Sequence, residues 1–152
     1  MDTSEAITGV LLAIFRLNGL ILNRGDQLTE EFGLTSARWQ VLGAIALSGG
    51  PQGVPDIADR MGVTRQGAQK QVNMLEQDGM LAKRPNPRHQ RSPLYALTAR
   101  GRDAYNEIMV KYAEWTDELA DGATPGIYEQ TLEGLRYLET RLAVNSHEGD
   151  VT

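Results

Sequence analysis

The residues best able to do chemistry lie between Thr64 and Asn73, where Gln66, Gln69, Lys70 and Asn73 recur at helical spacing. That spacing gathers them on one helix face, opposite the apolar stripe of Ala68, Val72 and Leu75. Primary amides pair bidentately with adenine, and Lys or Arg with guanine, along the major groove of duplex DNA. Arg65 opens the same segment, where free backbone amides also favour an anion, and Thr64 is placed to cap it. A second group follows: Arg88 and Arg91 stand in the polar stretch 85–93, which Pro85, Pro87 and Pro93 keep from being helical. Arginine suits a narrow minor groove, where negative potential is enhanced. A solvated helix face would carry the same amides. Helix and arginine-tipped hairpin together are a more specific pattern than either part.

These groups need elements to hold them. Ala58, Gly62 four positions later and then Ala68 have helix-turn-helix spacing: a small Ala lets two helices approach, Gly permits the turn, and Ala68 with Val72 pins the second helix. A helical hairpin within a bundle shares that pattern. Upstream, Ile7, Val10, Leu11, Ile14, Leu17, Ile21 and Leu22 predict a long amphipathic helix capped by Ser4 and ending at Gly33. Thr35 caps a helix carrying Trp39, Val41, Leu42 and Ile45, the stretch from Gly49 to Val54 reads as a surface loop, and Pro55 opens a short helix through Met61. Beyond Gly79, the pieces Met80 to Arg84 and Leu94 to Leu97 predict a basic β-hairpin. Tyr105, Ile108, Met109, Tyr112, Trp115 and Leu119 mark a further helix. Thr124 and Pro125 read as cap and first turn of a last one, with Leu132, Leu135, Leu138 and Leu142. The fold class is therefore mainly α with a small β-wing.

Net charge is −5, which alone disfavours a polyanion partner, but residues 54–101 hold eight basic and four acidic side chains, leaving −9 elsewhere. A basic centre thus sits in an acidic scaffold. Cysteine is absent, which excludes disulfides, a thiol nucleophile and cysteine-based zinc sites. His89 in the basic tip and His147 in the tail supply no metal cluster, and with scattered acids and no phosphate-cradling glycine loop there is no catalytic constellation. No enzyme, metal or cofactor is expected. The first residues lack the basic flank of a signal peptide, and no unbroken apolar run reaches the ~18 residues of a membrane span, so a soluble cytoplasmic protein without a membrane partner is expected.

In combination these residues resemble the MarR-type winged helix-turn-helix regulators. The resemblance rests on Leu34-Thr35-Ser36-Ala37-Arg38-Trp39-Gln40-Val41-Leu42, on Ile57-Ala58-Asp59-Arg60-Met61-Gly62-Val63-Thr64, on Val72, Leu75-Glu76 and Gly79, and on Arg91 with Leu97-Thr98-Ala99-Arg100-Gly101. It implies a homodimer whose N- and C-terminal helices intertwine as a dimerisation region, residues 1–33 and 102–145. It further implies a DNA-binding lobe at 34–101, a frayed tail at 146–152, and repression relieved by a small ligand. The implied partners are double-stranded DNA, contacted by Thr64, Arg65, Gln66, Gln69, Lys70, Asn73, Arg88 and Arg91, and a small aromatic or phenolic effector near Arg16 and Trp39. The wing departs from the family pattern: Asn86 and His89 replace two acids that hold it, and Gln90 occupies an arginine position. Their loss predicts a looser tip that repels phosphate less. Gln71 stands where an apolar residue is common. The alternative function is a protein-protein adaptor that uses the winged fold without DNA.

Overall fold

The computed structural model describes the backbone of residues 1–148 and the side chains of residues 1–144. Its first helix, α1 (Thr3–Thr29), is capped by Asp2 and not by Ser4. Asp2 accepts from the Glu5 N–H at 2.8 Å while Glu5 accepts from the Asp2 N–H at 3.0 Å. This reciprocal pair satisfies the Glu5 and Asp2 amides and sets the cap two residues before Ser4. A 3-10 turn, Glu30–Phe32, follows, and Gly33 at φ 67° reverses the chain. Thr35 then caps α2 (Ser36–Ala46) by accepting from the Arg38 N–H, and Asp26 of α1 accepts from the Ser36 N–H at 2.7 Å.

The segment read as a loop before Pro55 contains a short strand, β1 (Gln52–Gly53), which composition alone does not reveal because two residues have no periodicity. Next come α3 (Val54–Met61), with Pro55 in its first turn, and α4 (Arg65–Gln77), joined through Gly62 at φ 66°. Strands β2 (Leu81–Arg84) and β3 (Leu94–Leu97) form the hairpin, and β1 pairs antiparallel with the outer edge of β3, giving the order β1-β3-β2. Then α5 (Ala99–Ala120) begins, six residues before the first apolar position, Tyr105, that marked it in the sequence. The last helix, α6 (Ile127–Glu148), does not start at Pro125, because Gly126 takes φ 78° and breaks helical geometry between them. Residues 149–152 of the expected tail lie outside the described residues, as does the side chain of His147.

The described chain forms two compact units, one up to Ala113 and one from Glu114 onward. In the first, α2, α3 and α4 pack on one another and against the sheet. Leu42, Ile57, Leu75 and Ile108 are fully buried there, each stabilising the unit by roughly 1.5–3 kcal/mol. Ala58 and Ala68 are buried too, so their small side chains set the approach of α3 to α4. In the second unit the Tyr128 hydroxyl donates to the Leu119 carbonyl, tying α6 to the end of α5.

Large apolar side chains remain exposed on α1, among them Leu12, Phe15, Leu20 and Ile21, and on α6, among them Tyr128, Leu132, Tyr137 and Leu142. Thr3–Phe32 is also long and apolar enough to cross a membrane by length and composition, contrary to the reading of the sequence. The difference arises because Arg16 and Asn18 interrupt any unbroken apolar run but hardly lower the average over a whole helix.

Gly101 is the tightest point of the first unit: a Cβ there would fall 2.1 Å from the Met80 carbonyl oxygen. Gly101→Ala is expected to cost about 1–3 kcal/mol by overpacking against backbone. At Gly134, a helical position with open space around it, the same change should be neutral or stabilising. Thermal and urea unfolding of both variants checks the pair, and equal stability of the two would contradict the close approach.

Candidate nucleic-acid interface

Thr64 accepts from the Gly67 N–H at 3.0 Å, so its side-chain oxygen first serves as the N-cap of α4. From that cap onward Thr64, Gln66, Gln69, Lys70 and Asn73 line one open groove along the outer face of the helix. Arg65 is exposed beside it but is not among the lining residues. Met74 completes the groove and was missed from the sequence, although it continues the same stripe, four positions after Lys70. Its apolar type sets it apart from the polar side chains that can pair with base edges.

Within the groove Gln69 Nε2 donates to Asn73 Oδ1 at 2.7 Å. On the inner side Arg38 links the start of α2 to the end of α4. Its guanidinium reaches Asp78 just past α4 at 3.7 Å and donates to Thr35 Oγ1 at 3.3 Å, with only 15% of its side chain exposed. Arg38 thus positions α4 from behind, which no surface-directed reading of the sequence would select. Lys83 on β2 lies 3.8 Å from Glu76 of α4, so part of its charge is offset.

The wing tip is braced, not loose. Asn86 accepts from the Arg88 N–H at 3.0 Å and donates to the Ser92 carbonyl at 2.9 Å, spanning the tip from within. Two backbone bonds, His89 N–H to Asn86 O and Ser92 N–H to His89 O, each 3.2 Å, tighten it further. A carboxylate only accepts, so an amide at position 86 does what an acid there could not. Arg88, His89, Gln90 and Arg91 are left exposed on the stiffened turn.

Behind α2, an open cavity of about 530 Å³ is lined by Trp39, Arg60, Met61, Tyr105, Met109 and Tyr112 among others. Trp39 meets Tyr112 edge to face, with centroids 5.6 Å apart. Arg16 is exposed on α1 and does not line this cavity. Among the described residues, no group of three or more His, Asp or Glu side chains could hold a metal ion.

A helix-turn-helix followed directly by a β-hairpin, whose outer edge pairs with the strand that precedes α3 to make a three-stranded antiparallel sheet, defines the winged helix-turn-helix class. The sequence pattern of the MarR family matches residues 32–92. An uncharacterized protein of Mycobacterium tuberculosis is 36% identical over 133 residues, spanning 88% of this chain and 92% of that protein. Among solved structures, the transcriptional regulator BldR from Sulfolobus solfataricus superposes with a TM-score of 0.81 at 20% identity, over 93% of this chain and 99% of BldR. The MepR–DNA complex of Staphylococcus aureus superposes with a TM-score of 0.73 at 20% identity, over 86% of this chain and 96% of MepR. The chain belongs to the MarR family of DNA-binding transcription regulators.

If Asn86 holds the tip, Asn86→Ala should speed amide hydrogen exchange across residues 86–92 several-fold while leaving α4 unchanged. Exchange mass spectrometry reads this directly. Unchanged protection of the tip would show that the prolines alone hold it.

Proposed function

We propose that the protein is a cytoplasmic, ligand-responsive repressor that binds a pseudo-palindromic operator as a homodimer. In this reading residues 34–101 are the DNA-binding lobe, and residues 1–33 and 102–145 supply the dimerisation region. The observation that carries it is the pairing of an exposed amide and cation stripe on α4 with a braced, arginine-bearing wing. Thr64, Arg65, Gln66, Gln69, Lys70 and Asn73 would contact the major groove, and Arg88 and Arg91 the neighbouring minor groove. Phe15 at 75% exposure and Tyr137 at 69% are costly in a single chain, and a second copy covering α1 and α6 removes that cost.

Two-fold symmetry then places half-sites about one helical turn, ~10 bp, apart. For the effector, the aromatic walls around Trp39 and the nearby Arg60 guanidinium suit a small aromatic or phenolic ligand, with Arg60 taking the role the sequence suggested for Arg16. An adaptor that never touches DNA would have no use for an arginine wing braced against solvent.

The test is binding to a randomised operator library at two salt concentrations, with sedimentation of the free protein. A dimer at micromolar concentration and a symmetric selected site are expected. Arg91→Ala should weaken binding to nearly all sequences and make the salt dependence shallower by about one phosphate equivalent per subunit. A stable folded monomer, or DNA binding that Arg91→Ala leaves untouched, contradicts the proposal, and absence of any salt-dependent DNA binding favours the adaptor.

A further inference from the structure

On α4 the two amides Gln69 and Asn73 stand one turn apart and are joined by the 2.7 Å bond from Gln69 Nε2 to Asn73 Oδ1. Gln66 and Lys70 share the groove, yet their side chains have no hydrogen-bond partner among the described residues. The reading face is therefore not uniform: one side chain is held before DNA arrives and its neighbours are not. A free glutamine has three rotatable side-chain bonds to order on binding, whereas a glutamine tethered at its terminal amide has much of that ordering done.

The tether also decides what Gln69 can still bind. With one Nε2 hydrogen committed to Asn73, Gln69 keeps its Oε1 acceptor and the second Nε2 hydrogen. An acceptor beside a donor complements adenine, which offers its N6 hydrogen and N7 in the major groove. Guanine offers two acceptors there and leaves Oε1 without a donor. Asn73 in turn retains both Nδ2 hydrogens for a phosphate oxygen.

We propose that Gln69 and Asn73 act as one reading unit, in which Asn73 is the positioning residue that holds Gln69 for adenine at a single A·T pair of each half-site. This rests on the reading that α4 enters the major groove. Asn73→Ala should then flatten preference at the same base pair as Gln69→Ala, by about tenfold in each case, with the double variant no flatter there than Gln69→Ala alone. Asn73→Asp supplies the rescue: its carboxylate still accepts from Gln69 but repels phosphate, so overall affinity falls several-fold while adenine preference at that pair persists.

The measurement is selection from a randomised operator library by the full-length wild type and these four variants, each first confirmed as folded by circular dichroism. Preference lost at a different base pair in Asn73→Ala, with effects that multiply in the double variant, overturns the proposal and leaves α4 as the reading helix. If the wild type selects a site but Gln69→Ala changes no base preference, the proposal falls together with the role given to Gln69. Preference lost equally in Asn73→Asp and Asn73→Ala also overturns it, because the acceptor would then not be what matters.

Discussion

Helix α4 and the wing are held as one body by a close backbone approach, in which Gly101 of α5 lies against the Met80 carbonyl with no room for a side chain. Several hydrogen bonds converge there. Gly79 turns the chain at φ 74°, the Met80 N–H returns to the Leu75 carbonyl at 2.9 Å, and the Thr98 N–H reaches the Met80 carbonyl at 3.1 Å. Thr98 Oγ1 donates to the Gly79 carbonyl at 2.6 Å and accepts from the Gly101 N–H at 3.1 Å. The end of α4, the root of the wing and the start of α5 thus meet at one point. Any shift of α5 would reach both α4 and the wing through it.

The surface built on this junction divides between rigid and free parts. The Asn86 amide stiffens the turn, and the arginines it carries stay exposed. On α4, Gln69 is tethered whereas Gln66 and Lys70 are free to adapt. Tethered polar groups favour discrimination because a wrong base leaves them unmatched, and mobile cations favour affinity because phosphate is everywhere along the duplex. Charge is divided as well: the chain carries −5 overall, but its acids are concentrated outside residues 54–101.

Much of this is legible in the sequence. Gly33 and Gly62 take the left-handed turns that their positions between helices require, Thr35 and Thr64 cap the helices they precede, and β3 spans Leu94–Leu97 as its composition suggests. These features are local, decided by backbone freedom and by a side chain three residues from its partner. Local chemistry also misled at Thr124 and Pro125, where the glycine that follows at 126 adopts a conformation no helix accommodates.

What the sequence alone determined is the order of the helices and of the β2–β3 hairpin, the polarity of most helix faces and most of the polar residues along the outer face of α4, because helical periodicity and capping act over a few positions. Only the tertiary structure decided which of those residues are held and which are free. The bond between Asn86 and Ser92, the reach of Arg38 to Asp78 and the contact of Gly101 with Met80 join positions six, forty and twenty-one residues apart. Trp39 likewise finds Arg60 rather than Arg16 beside its cavity. Such pairings follow from how α2, α3, α4 and the sheet pack around Leu42, Ile57 and Leu75, and packing is a property of the whole core that no short stretch of sequence encodes.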